Sequence, residues 1–237
     1  MKILISILVI GIAIYIANKE NGNPLKNLNT LRKEKTSAKE FLKTIESLDY
    51  FKYANEKDIE KLKKNHLESF DSEGSWGGVW DDETNLPLDY RYYFCDGENV
   101  FEQGGFKEML NEFSGTFEKI GFKLKIGNHF EEWDSKNEWL NHRITVNETE
   151  YIIFKNFKGY GWGEAVQRLA EILNEELEKQ NIEERIYLIS GGNDGSLIFL
   201  DNELYKYFYK TFTDPEWKPL EVKEWVKVMG IKKMKLE

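Results

Sequence analysis

Two pairs of apolar runs joined by short polar links constrain this chain more than any other feature of its sequence. Residues 139–146 and 150–154 are separated only by Asn147, Glu148 and Thr149, and residues 185–190 and 196–200 only by the loop GGNDG. A link that short returns the chain beside itself as an antiparallel hairpin, whereas a parallel pair needs a crossover of about a dozen residues or more. Two hairpins in a chain otherwise rich in helical patterns exclude a doubly wound parallel sheet.

The helical patterns are spaced as surface helices require. Ser37 and Glu40 have capping-box spacing, and Phe41, Leu42, Ile45 and Leu48 follow on one face. A second helix is expected over residues 56–70, with Asn55 as cap and Ile59, Leu62, His66, Leu67 and Phe70 inward. Tyr90, Tyr92 and Phe94 alternate as in a strand that ends at an Asp96-Gly97 turn. Phe106, Leu110, Phe113, Phe117 and Ile120 mark one long helix closed by Gly121, and residues 122–126 read as a strand. Trp162, Val166, Leu169, Leu173 and Leu177 mark a long helix, Asp201 is placed to cap a short aromatic one, and Val222, Trp225, Val226 and Met229 mark the last, ending at Gly230. The expected fold is α+β: a mostly antiparallel sheet covered by helices, preceded by one N-terminal apolar helix.

That leading segment is ILISILVIGIAIYIA, residues 3–17, fifteen positions without a charge. Residues 1–18 therefore read as a membrane anchor or signal segment, residues 19–36 as a polar tether, and residues 37–237 as a single globular domain. A spanning helix needs about 17 residues or more, which Met1 and a snorkelling Lys2 supply. Lys19, Lys26, Arg32, Lys33 and Lys35 after the segment outweigh Lys2 before it, which places the body of an anchored chain in the cytoplasm. The alternative is a cleaved signal that exports the body, although Tyr15 stands two positions before Ala17, where a small residue is wanted.

Charge narrows the partners. Beyond residue 19 the chain holds all 42 acids but only 31 of its 33 bases, a formal −11. Such a body repels phosphate backbones, so no nucleic-acid partner is expected, and it attracts a basic protein. Cys95 is the single cysteine, which excludes an intramolecular disulfide and the Cys-rich zinc and iron–sulfur patterns.

The motifs that could carry chemistry are weak. SGGNDGS, residues 190–196, is followed by the strand LIFL where a phosphate loop needs a helix. GYGWGEA, residues 159–165, is not GxGxxG, and Glu164 in the first helical turn repels an anion. Cys95 fits a small apolar residue at a strand end. His129 with Glu131, Glu132 and Asp134 offers metal ligands, but no second histidine is seen at helical or hairpin spacing, and a solvated acidic strand end is the simpler account. No catalytic residue, cofactor or metal ligand is therefore assigned. The partner-binding residues expected are Trp76, Trp80, Asp81 and Asp82 in the loop after the second helix, joined in space by Tyr160, Trp162, Asn193 and Asp194. Aromatic anchors with an acidic rim suit a basic partner.

The stretches GYGWGEAVQRLAEILNEEL, ERIYLISGGNDGSLIFL and WKPLEVKEWVKVMG, within residues 151–230, resemble uncharacterised bacterial proteins similar to immunity proteins of toxin systems. The resemblance involves no catalytic motif and implies a protein that neutralises a toxin by binding it. The expected function is thus a non-catalytic protein-binding domain, with a membrane-tethered enzyme and a structural envelope component as alternatives.

Overall fold

The computed structural model describes residues 35–70 and 76–232. The membrane segment expected at residues 3–17 and most of the tether lie outside these residues. No helix among the described residues is long and apolar enough to cross a membrane.

The chain runs α1 (Ala38–Ser47), a 3-10 turn (Tyr50–Tyr53), a second 3-10 turn (Glu56–Asp58), α2 (Ile59–Ser69), β1 (Tyr92–Phe94), α3 (Gly97–Phe101), α4 (Gly105–Glu112) and α5 (Ser114–Ile120). It continues through β2 (Ile126–Asp134), β3 (Trp139–Val146), β4 (Thr149–Phe157), α6 (Trp162–Lys179), β5 (Arg185–Ile189) and β6 (Ser196–Leu200). It closes with α7 (Asn202–Thr211) and α8 (Val222–Val228). The class is α+β, as expected. Instead of one sheet there are two, each three-stranded and antiparallel, in the orders β1-β6-β5 and β2-β3-β4.

The first sheet divides the core. Tyr93, Ile186, Leu188, Leu197 and Phe199 point to one side, into a cluster with Leu110 and Phe113, Ile144, Ile153, Leu169, Leu173 and Trp225. Tyr92, Tyr187, Ile189, Ile198 and Leu200 point to the other, against Phe41, Ile45, Leu62, Trp76, Leu204 and Phe208. Strands covered on both faces have no polar side, which explains the unbroken apolar runs IYLI and LIFL.

Local signals account for most element ends. The Ser37 hydroxyl accepts from the Glu40 N–H at 3.2 Å, and the Asp201 carboxylate accepts from the N–H groups of Glu203 and Leu204, both at 3.0 Å. Gly121 closes α5 at φ 74°.

Five expectations need correction. Asn55 makes no capping bond, because a 3-10 turn precedes α2, and Leu67 is 39% exposed since only the Leu62–His66 row faces inward. Asp96 and Gly97 open a helix instead of forming the expected turn. Asp96 caps the short helix α3, accepting from Glu98 N–H at 2.8 Å. The helix expected over residues 106–120 is two, broken at Phe113, although Phe106, Leu110, Phe113 and Phe117 remain on one buried stripe. The strand expected at residues 122–126 instead starts at Ile126 and continues to Asp134. Along it Asn128 and Glu132 are exposed while His129 and Glu131 are partly covered, a mixed pattern that periodicity alone reads as a strand end.

Candidate functional site

A cleft of about 540 Å³ opens between the residue 80–86 loop, the end of β1, α3 and α4. An antiparallel bridge between Trp80 and Pro87 pins the base of the loop, and the Asp81 N–H donates to the Leu86 carbonyl at 3.0 Å. Trp80, Leu86 and Phe94 supply apolar surface, with Phe94 half exposed, while Tyr93, Val100 and Met109 are buried at the base. Asp96, Glu102, Glu108 and Glu112 supply charge, and no Lys or Arg is among the described residues lining the cleft. Burial first, and then the neighbouring Glu108 carboxylate, raises the Glu112 carboxyl above its ordinary value.

The wall between α3 and α4 is tight because Gly105 has no side chain: a Cβ there would lie 1.7 Å from the Asn99 carbonyl oxygen. Opposite, the Cys95 N–H donates to the Gly195 carbonyl at 2.8 Å, and a Cβ on Gly195 would lie 2.5 Å from the Cys95 oxygen. Cys95 itself is buried, and burial pushes its thiol up to about 12, as suits a packing residue rather than a nucleophile.

The residues expected to bind a partner fall into three groups. Trp76 is core: 7% exposed, stacked on Phe212 at 5.2 Å and edge-on to Phe208 at 4.7 Å, so it presents nothing to a partner. The aromatic side chains of α7 claim it. Trp80 lines the cleft, and Asp82 is exposed on the adjoining loop. Asp81 shapes that loop, since its Oδ1 accepts from Thr84 N–H at 2.9 Å, Thr84 Oγ1 at 2.9 Å and Glu83 N–H at 3.2 Å. These bonds, those from Thr84 foremost, hold its carboxyl below the usual range.

Tyr160, Trp162 and Asn193 gather around α3. Tyr160 is 86% exposed with its ring 6.0 Å from that of Trp162, the Trp162 backbone lies against Gly97, and Asn193 Nδ2 donates to Glu98 Oε2 at 3.4 Å. Asp194 is exposed in the β5–β6 turn. The helix α3 therefore borders both sets: Asp96, Asn99 and Val100 face the cleft, while Gly97 and Glu98 meet the Trp162–Asn193 side.

A second cluster adjoins the cleft. Gln103 and Glu108 also line a cavity of about 530 Å³ with Gly104, Lys107, Asn111, His129 and Glu131. His129 and Glu131 are two positions apart on β2 and so share a face, and the register sets His142 of β3 directly opposite Glu131. His129 Nε2 lies 2.9 Å from His142 Nε2, Glu131 Oε2 lies 3.8 Å from His129 Nε2, and Glu131 Oε1 lies 4.0 Å from His142 Nδ1. The Gly104 N–H donates to Glu131 Oε2 at 2.9 Å. His142 is buried beside the Phe106 ring, and burial, with a smaller push from His129, brings it down to about 4, so it is neutral at pH 7. Glu131 is not a solvated strand end: its side chain is 8% exposed.

Sequence reasoning missed this set because β2 was expected to stop at Ile126. The signal was nevertheless there. A turn over residues 135–138 pairs Asp134 with Trp139, and counting back along both strands brings His142 opposite Glu131.

No family model matches the chain, and neither does any curated protein or any solved structure.

Proposed function

We propose that this protein is a non-catalytic binding domain that takes a cationic segment of a protein partner into the cleft walled by Trp80, Phe94, α3 and α4. The observation that carries the reading is the lining of the cleft: exposed aromatic and aliphatic surface among Asp96, Glu102, Glu108 and Glu112, with no base among the described lining residues. Apolar anchors give binding energy where they are desolvated, and like-signed charge around them steers and selects an oppositely charged partner. The formal −11 beyond residue 19 extends that field over the whole body. The resemblance of residues 151–230 to immunity proteins gives the partner class as a toxin, neutralised by occupation of its basic surface. The cleft is built from residues 80–112, outside the resembling segment, so the cationic-partner reading stands without it.

The test is co-purification of the full chain with proteins of the cell that makes it, at about 0.05 M and about 0.5 M salt. A partner with a basic surface is expected at low salt, lost at high salt, and lost at low salt from the Trp80→Ala/Glu112→Gln variant. Equal recovery by wild type and variant would overturn the reading.

A further inference from the structure

Two imidazoles and a carboxylate converge at one point of the second sheet. His129 and Glu131 come from β2, and His142 from β3. A β-bulge between Ile126 and His129 adjusts the register there before the pairing becomes regular. One ligand atom from each of the three lies within 4.8 Å of the other two. In a tetrahedral zinc site, nitrogens about 2.0–2.1 Å from the ion stand roughly 3.3 Å apart. The observed 2.9 Å between the two Nε2 atoms thus needs an opening of only about 0.4 Å.

The donor set selects the ion. Neutral imidazole nitrogens suit zinc and its neighbours in the d-block, whereas calcium and magnesium want oxygen ligands throughout.

The surroundings are also those of a ligand set. Glu131 is oriented by the Gly104 N–H, an outer hydrogen bond of the kind that holds ligating carboxylates in place. Phe106 stands edge-on to His142, 5.5 Å between ring centroids, and shields one side of the site. His129 and Glu131 line the cavity of about 530 Å³ together with Gln103, Lys107, Glu108 and Asn111. Lys107 is the single Lys or Arg among the described lining residues, which also include the acids Glu108 and Glu131.

We propose that His129, Glu131 and His142 form a binding site for one divalent d-block cation of the zinc type, with the remaining coordination position facing the cavity. Such an ion ties β2 to β3 and, through Glu131 and Gly104, to the α3–α4 junction that forms the cleft wall. The competing account of the short Nε2–Nε2 distance is a hydrogen bond between the two rings in one tautomeric arrangement. That account requires no ion affinity.

The test uses the full chain, stripped with a chelator, and titrated with Zn2+ by calorimetry and with Co2+ by visible absorption. One equivalent of Zn2+ is expected to bind saturably, and the Co2+ complex to show the intense visible bands of a four-coordinate site. His129→Ala, a partly exposed position, is expected to weaken Zn2+ binding by about 100-fold or more, since even an outer partner of a ligand is worth about 10–100-fold. Metal-free His129→Ala should unfold at the wild-type temperature. If that variant is unstable, Glu131→Gln decides, because its amide oxygen still accepts from Gly104 while its charge is lost. Absence of saturable Zn2+ binding by the wild type would overturn the proposal, as would unchanged affinity in the deciding variant.

Discussion

Inside the core, Tyr50 donates its hydroxyl to Asp89 Oδ2 at 2.6 Å, and neither side chain reaches solvent. Asp89 Oδ1 accepts from the Arg91 and Tyr92 N–H groups at 2.9 and 3.1 Å. The Arg91 guanidinium donates in turn to the Tyr50 carbonyl at 2.7 Å and the Phe199 carbonyl at 2.8 Å. Burial first, and then the Asp89 charge, raises the Tyr50 hydroxyl well above its ordinary value, so it stays a donor. This network fastens the first 3-10 turn to the start of β1, and β1 carries one edge of the cleft.

Breaking the network from the carboxylate side leaves three buried donors, the Tyr50 hydroxyl and the Arg91 and Tyr92 N–H groups, without an acceptor. Asp89→Ala is expected to cost about 3–5 kcal/mol. Tyr50→Phe removes one hydrogen bond to a charged group and is expected to cost about 2 kcal/mol. Urea denaturation measures both, and losses below about 1 kcal/mol would show that the network is dispensable.

The two tryptophans on either side of Gly77, Gly78 and Val79 should behave oppositely. Trp76→Ala opens a hole among Phe41, Phe208 and Phe212 and is expected to cost about 3–5 kcal/mol. Trp80→Ala, on the cleft wall, is expected to cost about 1 kcal/mol. Its main effect should be lost partner binding. Similar stability losses for the two would contradict the division between core and cleft.

His66 sets a pH dependence. It is fully buried beside Tyr50 and Phe51, and neither ring nitrogen has a hydrogen-bond partner among the described residues. Burial lowers its pKa from 6.5, and the Asp89 charge opposes this more weakly. The unfolded chain therefore binds more protons than the folded one just below pH 6.5, so stability is full above that value and falls as the pH drops towards the lowered folded value. His142 acts in the same direction. The urea midpoint should be lower at about pH 5.5 than at about pH 7.5, and His66→Phe should reduce the difference. A midpoint that rises on acidification would contradict the sign.

Gly105 is expected to tolerate no side chain. A Cβ 1.7 Å from the Asn99 carbonyl must move backbone, so Gly105→Ala should cost about 2 kcal/mol or more and shift α3 against α4. Calorimetric unfolding measures the first effect. Unchanged stability would mean that the α3–α4 junction yields freely and that the cleft wall is soft.

Much of the framework was legible in residue spacing, and the gaps have physical causes. Val166, Leu169, Leu173 and Leu177 announced α6, and GGNDG announced the β5–β6 hairpin, because a single buried face suffices for the helix and local turn chemistry for the hairpin. Trp76 and Trp80 were indistinguishable in sequence. Which one is covered depends on Phe208 and Phe212, more than a hundred positions away. The carboxylates Glu108 and Glu112 carry no signal in residue spacing, because β1 and the residue 80–86 loop are set against them only in the folded chain. His142 was hidden for a different reason, since its partners become visible only when the full length of β2 fixes the register.

The most direct test of the binding account is zero-length carboxyl-to-amine cross-linking of the full chain to the partner recovered with it, with the linked peptides identified by mass spectrometry. The expected result is linkage of partner lysines to Glu102, Glu108 or Glu112, abolished when those three are changed to Gln. Links confined to carboxylates away from the cleft, or links that run from lysines of this chain to acids of the partner, would contradict it.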